Sequence, residues 1–459
     1  MYDELKYDYC THSQDPIISC ALEGVANIVA GISDVSIVIH SPQGCSSTVA
    51  AAYDHHEIDF SKRKIACSRL FEMDIVLGAT EKLKDLIVQT DRTFGTKVLF
   101  IVGTCAADII GEDIDGLCKE MQSSVHAKLI PVMAGGFRGT SYDGMELGLN
   151  ALLKFVASTD KPRRVSKSVN LIAPQASLNP TWWADLNWIR NVLGRMGVGI
   201  KTVISQNASL KELETASEAC ANILLSHDVG YDFAEKVEKD FGVPLVLSDI
   251  PLPIGCSNTA NWLRAAGRLW EAEKVAEDII QKGEEHVVDI LRRRGLMIIP
   301  RYRNCRVAVS ADATFGIGIL RMLFEELEMI PEVVLIRSGS KQAKHLLDSE
   351  IMDLGIAPKV AFSADGYMVK KALAESNIDA VLGSAWEKYI GQETGIKLAF
   401  DVFSPTDRDI YLDKPYFGYE GMLNLLEIVG NDWETQFRSK EIHWENYRTK
   451  EKAGIELER

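Results

Sequence analysis

Nine cysteines are spread through the 459-residue sequence, and three stand where a thiol could do chemistry. Cys45 follows the apolar run 35–40 (VSIVIH) and the turn Ser41-Pro42-Gln43-Gly44. Cys105 follows a second apolar run, 97–102 (KVLFIV), and Gly103-Thr104. Cys20 lies just ahead of the helical run 21–30. Thiolates that converge from separate loops can ligate an iron–sulfur cluster, since sulfide-bridged iron prefers soft sulfur donors. Gly44 would let backbone approach a bulky inorganic group beside Cys45, and a helix opening at Cys105 would offer N–H groups to cluster sulfur. Free cysteines are also common as small buried hydrophobes, and with no C-x-x-C pair the spacing alone leaves both readings open.

Other candidates read as structural. Adjacent side chains on a regular element point to different sides, so His55-His56-Glu57 is expected on a surface loop. Gly316-Ile317-Gly318 lacks a full G-x-G-x-x-G and is expected to form a tight strand–helix turn. Trp182, Trp183 and Trp188 fall at helical spacing and suit core or interface anchors. Arg138 suits either a helix cap or an anion or partner contact. Cys67, Cys118, Cys256 and Cys305 have no cluster-like surroundings and are expected to be buried thiols. Cys10 has no assigned role.

The elements that must position these residues alternate along the whole chain. Runs 35–40, 97–102 and 128–133 (KLIPVM) read as buried strands separated by helical patterns such as 81–89 and 144–157. The pattern restarts after the polar linker 161–164, with strands at 169–173, 222–225 and 245–247. It restarts again after 301–304, with strands at 306–310, 332–336 and 380–382. Continuous apolar strands alternating with helices define an α/β fold with parallel sheets covered on both faces. The expected organisation is three doubly wound, Rossmann-like domains, at 1–165, 166–300 and 301–459, the last ending in a charged helical tail after Asn424. Ligands of such sheets bind outside the carboxyl ends of strands, where Cys45 and Cys105 fall.

Composition excludes several classes. Apolar residues make up 46% and charged residues 25%, ordinary for a globular chain rather than a disordered one. A net charge of −15 argues against a phosphate backbone as partner. No run is long and apolar enough for a membrane span, and the acidic start Met1-Tyr2-Asp3-Glu4-Leu5 is unlike a signal peptide. A cytoplasmic chain without nucleic-acid or membrane partners is expected. An odd cysteine count there argues against a disulfide framework.

Local words around the cysteines carry a resemblance. His40-Ser41-Pro42-Gln43-Gly44-Cys45 resembles the HGxxGC segment of nitrogenase component 1 subunits. The stretch 103–114 (GTCAADIIGEDI) resembles that family's TCxxxxIGDDI, and Cys20 with Gly24 its first cysteine. The stretches 72–79 (EMDIVLGA), 136–141 (GFRGTS) and 417–421 (FGYEG) are similar to further family motifs, in the same order. The resemblance implies a subunit of a heteromeric reductase, expected as an α2β2 heterotetramer with a homologous partner subunit. It also implies an ATP-dependent iron protein as electron donor. Cys20, Cys45 and Cys105 would ligate an interface iron–sulfur cluster shared with the partner chain. That cluster would be P-cluster-like (8Fe-7S) or four-iron (4Fe-4S), relaying electrons toward a substrate site. A scaffold for metallocofactor assembly is the alternative, and a sensor that kept only the fold is a third.

Two departures bear on the subunit type. Where an α-type chain carries its cofactor cysteine, the matching segment 222–227 (NILLSH) offers Ser226, a poor soft-metal ligand, followed by His227. His227 is expected to cap or pack, and Cys220 lies on the wrong side of the strand. The α-type histidine near the end has no clear counterpart in 403–409. At the β-type serine that assists the interface cluster stands Gly136, with Ser141 nearby. The 72–79 and 136–141 stretches look α-like, the missing cofactor cysteine and 417–421 β-like. The balance is toward a β-type subunit.

Overall fold

In the computed structural model the described residues are 2–5, 18–55, 64–156, 164–174, 181–205, 208–295 and 299–441. Cys10, most of the His55-His56-Glu57 stretch and most of the first linker lie outside them, as does the end of the tail.

The apolar runs form strands as the sequence predicts. After a short β1 (Asp3–Glu4), the first sheet holds β2 (Val35–His40), β3 (Ile65–Cys67), β4 (Val98–Gly103) and β5 (Lys128–Met133). The second holds β6 (Ser168–Ile172), β7 (Gly199–Ile204), β8 (Ala221–Leu224) and β9 (Leu245–Val246). The third holds β10 (Arg306–Ala311), β11 (Ile330–Ile336), β12 (Lys359–Phe362), β13 (Ala380–Gly383) and β14 (Leu398–Asp401). Their orders are β3-β2-β4-β5, β7-β6-β8-β9 and β1-β12-β11-β10-β13-β14. Every pairing in all three is parallel. The central β2 and β4 are buried at all six residues, as strands covered on both faces must be. β5 sits on an edge, where Pro131 removes no ladder hydrogen bond that the sheet needs. The acidic β1 is not a partner of the first sheet; Asp3 and Glu4 pair with Lys359 and Val360 of the third.

The helices of the first unit are α1 (Ala21–Ala30), α2 (Gln43–His55), α3 (Glu72–Leu77), α4 (Thr80–Phe94), α5 (Cys105–Ile110), α6 (Ile114–Met121) and α7 (Ser141–Leu152). α1 and α7 pack so closely that Gly24 and Gly144 are required: a Cβ on Gly24 would strike the Ser141 carbonyl, and one on Gly144 the Ala21 carbonyl. Gly316 and Gly318 correct the sequence expectation of a tight turn. Both lie inside the helix Ala313–Arg321, where a Cβ would collide with the Ile336 and Ile254 side chains. They are glycines because the helix must lie close to its neighbours.

A buried polar network joins the three sheets. Asp228, beyond β8, accepts from the N–H groups of Ala313 and Thr314 at 2.6 and 3.0 Å, and from the Thr314 hydroxyl at 2.6 Å. Tyr142 of α7 donates to Asp312. Arg337 pairs with Glu387 at 2.8 Å and donates to the Ser404 carbonyl at 2.8 Å. These groups are satisfied as buried polar groups must be; the Asp228 and Tyr142 bonds tie the second and first units to the third, while the Arg337–Glu387 pair lies within the third. Among the described residues no helix is long and apolar enough to cross a membrane.

Candidate functional site

The carboxyl edge of the first sheet gathers the cysteines. Cys20 is the N-cap of α1, and it is held there by an antiparallel bridge to Thr140 and by the Ala21 N–H bonding to the Gly139 carbonyl at 3.1 Å. The loop after β5 therefore sets its position. Cys45 falls in the first turn of α2, after β2. Cys105 opens α5, directly after β4 and Thr104. All three are half-buried free thiols.

Gly136, in the loop that follows β5, lies between two of them. Its N–H donates to the Cys105 Sγ at 2.8 Å. A Cβ built there would stand 3.4 Å from that sulfur and 3.6 Å from the Cys20 Cβ, so both side chains reach one point. Burial holds the Cys45 thiol above its ordinary value, and the neighbouring Cys20, Cys105 and Cys67 push the same way. Each would resist a second negative charge nearby, which is what converging thiols do.

Cys67 belongs to this edge, against the expectation of an unremarkable buried thiol. It ends β3 in register with Ile39, and its Sγ lies 3.6 Å from the Ser41 carbonyl oxygen. Cys118 and Cys305 do match that expectation: both are buried, and burial pushes their thiols up to about 12 and about 11. Cys256 is half-buried with its thiol raised by burial, while Cys220 donates to the Ser168 carbonyl at 2.8 Å. Gly44 has no contact to explain it, since a Cβ there would meet nothing within 4 Å.

Polar groups brace the edge. His40, wholly buried at the end of β2, bonds to Glu112, whose other oxygen accepts from the Ala79 N–H at 2.8 Å. Burial keeps the imidazole below its ordinary value against the opposing pull of that carboxylate. Arg138 caps no helix; it pairs with Asp108 at 3.0 Å. Around the same edge stand exposed apolar side chains: Phe71, Met73, Val76 and Leu77 at α3, Ile109 of α5, and Phe137 beside Gly136.

The second predicted locus is closed. The Ser226 Oγ accepts from the N–H groups of Asp228 and Val229 at 3.1 and 3.3 Å, so it shapes a turn. His227 is buried, and its Nε2 accepts from the Leu252 N–H at 3.1 Å. Desolvation pushes it down to about 4. The cavity lined by Ser226, Trp182, Phe315 and Phe417 has a volume of about 20 Å³, room for a water. Phe315 stacks on Phe403 at 5.9 Å and meets Tyr416 edge-on at 5.7 Å, filling the space between the second and third sheets.

A model of the nitrogenase component 1 type oxidoreductases matches residues 20–434. The chain therefore belongs to the nitrogenase component 1 family. It is 24% identical over 451 residues to the nitrogenase vanadium-iron protein beta chain of Trichormus variabilis, covering 91% of this chain and 93% of that one. It is 23% identical to the nitrogenase iron-molybdenum cofactor biosynthesis protein NifE of Methanococcus maripaludis, covering 90% and 82%. Among solved structures, nitrogenase Cp1 at pH 6.5 superposes with a TM-score of 0.78 at 18% identity, over 96% of this chain and 97% of that one. That likeness bears on the fold.

Proposed function

We propose that this chain is a β-type subunit of a nitrogenase-like reductase, holding an interface iron–sulfur cluster through Cys20, Cys45 and Cys105. The observation that carries the reading is the convergence of these thiols on one sheet edge, with the Gly136 N–H aimed at one sulfur. The donor chemistry fits: soft sulfur ligands, half-buried, with a backbone N–H to tune them. Among the described residues no three His, Cys, Asp or Glu side chains close tightly enough to hold a single metal ion, and a multi-iron group suits more widely set thiols. When bound, the cluster supplies one-electron transfer from an ATP-dependent iron protein toward a substrate site in the heteromer. Cys20, Cys45 and Cys105 would hold the cluster, and the Gly136 N–H would bond to the Cys105 ligand sulfur.

The β-type assignment rests on the filled space at Ser226, which offers neither a thiolate nor room for a large catalytic cofactor. The exposed apolar edge of α3 and α5 suits a homologous partner chain in an α2β2 heterotetramer, since a contiguous apolar patch of this kind marks an interface. A reducing cytoplasm suits eight described cysteines that are all free. The division into domains at 1–165, 166–300 and 301–459 is part of the same proposal, with β1 reaching across to the third.

A second reading is favoured by the NifE likeness, whose extent nearly equals that of the beta chain. A scaffold would hold the same cluster and pass a finished cofactor onward. Anaerobic purification with the partner chain, followed by iron and sulfide analysis and EPR, tests the cluster. ATP-dependent steady turnover with an iron protein supports the reductase; stoichiometric metallocluster transfer to an apo-protein supports the scaffold. An iron-free complex overturns both.

A further inference from the structure

Three consecutive residues hold Cys20 from outside its own helix. The Ala21 N–H bonds to the Gly139 carbonyl at 3.1 Å, Cys20 itself bridges Thr140, and the Ser141 N–H donates to the Ser19 carbonyl at 2.7 Å. The next residue, Tyr142, reaches away from the first sheet and donates its hydroxyl to Asp312. The segment between them is stiff. Asp143 accepts from the Thr140 N–H at 2.8 Å and from the Thr140 hydroxyl at 2.9 Å. Gly24 of α1 lies so close that a Cβ there would stand 2.0 Å from the Ser141 carbonyl oxygen. A displacement of Tyr142 is therefore carried to Cys20.

Asp312 is fixed just as firmly. It lies at the carboxyl edge of the third sheet, between β10 and the helix Ala313–Arg321, whose N-cap it is. Its carbonyl accepts from the Gly316 N–H at 2.8 Å. Asp228 clamps the next two N–H groups, those of Ala313 and Thr314. Burial keeps the Tyr142 hydroxyl well above its ordinary value, so it stays protonated and donates.

We propose that Tyr142 and Asp312 are positioning residues for the cluster ligand Cys20, coupling the third sheet to the cysteine edge of the first. The inference rests on the cluster reading above and deepens it. The groups one step behind a metal ligand set its orientation. Here those groups end on a different sheet, so a rearrangement of the third sheet reaches Cys20 through the hydroxyl–carboxyl bond. Neither residue is a ligand; both act through Thr140 and Ser141.

The test takes the full chain, iron-free, and its anaerobic complex with the partner chain. Both are made as wild type, Tyr142→Phe, Asp312→Ala, Asp312→Asn and Glu350→Gln. Tyr142→Phe keeps the ring and removes the donor, and Asp312→Asn keeps an acceptor oxygen. Glu350→Gln is the control, since it breaks the buried pair with Arg321 at 3.0 Å elsewhere in the third unit. Iodoacetamide alkylation mapped by mass spectrometry gives the rate at Cys20 relative to Cys45 in the iron-free chain. EPR of the complex, poised with a reductant, reads the cluster. The expected result is a several-fold rise in the relative Cys20 rate in Tyr142→Phe and Asp312→Ala, and a return toward wild type in Asp312→Asn. Glu350→Gln should lower thermal stability and leave that rate unchanged. The Tyr142→Phe complex should keep its iron with shifted g-values. Equal relative rates in wild type and Tyr142→Phe overturn the inference, as does an equal rise in Glu350→Gln, which would be general loosening. Unshifted g-values in an iron-loaded Tyr142→Phe complex also overturn it. A wild-type complex without iron overturns the cluster reading beneath it instead, and the alkylation rates still decide whether Tyr142 positions Cys20. Should Tyr142→Phe fail to fold, Asp312→Ala against Asp312→Asn decides by the same readouts.

Discussion

The backbone N–H of Gly136 donates to the Sγ of Cys105 across 2.8 Å, from a loop that follows a different strand. The same glycine leaves open the point that Cys105 and Cys20 both reach. Gly136 is itself exposed, so substitution there tests the site with little effect on the core. Gly136→Ala should keep near-normal iron, because its Cβ only touches the sulfur at 3.4 Å. Gly136→Leu should fill the space and lower iron per chain several-fold without changing the circular dichroism. Full iron in Gly136→Leu would show that no cluster sits between these thiols.

The crossing of α1 and α7 sets where Cys20 stands, because Cys20 caps α1 and Gly144 of α7 contacts the Ala21 carbonyl. Gly144→Ala forces the helices apart. Overpacking of this kind costs about 1–3 kcal/mol, and here it also displaces a ligand. Lower thermal stability together with reduced iron is expected. Gly194→Ala is the control: a Cβ there meets nothing within 4 Å inside a helix, so it should stabilise by about 0.5–1 kcal/mol and leave iron unchanged. Iron content that stays at the wild-type value in Gly144→Ala would separate the helix crossing from the site.

The sequence made the cysteine edge legible through general rules. Parallel sheets read as continuous apolar runs, and the residues just beyond the end of such a run lie at the binding edge. That reasoning located Cys45 and Cys105, and the observed helix at Ala21–Ala30 begins directly after Cys20. It missed Cys67 because β3 is three residues long and has no periodicity to detect. It missed β1 because Asp3 and Glu4 are exposed and acidic, and only pairing with Lys359 and Val360 makes them a strand. It misread Gly316 and Gly318 because local sequence does not tell a turn from a helix pressed against a neighbour. Closure of the Ser226 locus came from Phe315, Phe403 and Tyr416, residues far apart in the chain.

His227 should impose a pH dependence on stability. Its folded value, about 4, lies below the ordinary 6.5, so the unfolded chain takes up the proton first as pH falls. The contribution is complete above pH 6.5 and is lost as pH falls toward 4, reaching roughly 3 kcal/mol. His227→Gln should flatten this acid limb in urea unfolding measured at several pH values. Asp185 and Asp312, raised by burial to about 7, slope the other way but are common to both proteins. Equal slopes in wild type and variant would rule out His227 as the source.

The Arg337–Glu387 pair is almost wholly buried, at 2% and 1% exposure. Removing one partner leaves the other charge without compensation in a dry interior. Glu387→Gln should therefore cost about 3–5 kcal/mol in denaturant unfolding, against about 0–1 kcal/mol for the exposed pair Lys370–Glu393 broken by Glu393→Gln. Similar losses in both variants would contradict the burial argument.

The last prediction concerns the apolar face beside the cysteines. Val76 and Leu77 are 76% and 75% exposed, at the end of a helix with no buried residue. α3 is held in place by Lys82, which bonds to Asp74 at 2.6 Å and to the Arg69 carbonyl at 2.8 Å, not by burial of its own side chains. Charges introduced at Val76 and Leu77 should thus alter the isolated fold by no more than about 0.5 kcal/mol. Burial of one such side chain in an interface contributes about 1.5–3 kcal/mol. Leu77→Asp should accordingly weaken association with the partner chain at least tenfold, and Val76→Asp with Leu77→Asp should abolish co-purification. Both would leave the thermal transition of the free chain unchanged. A doubly substituted chain that still co-purifies with its partner would place the interface elsewhere on the surface, and would remove the apolar edge as support for a shared cluster.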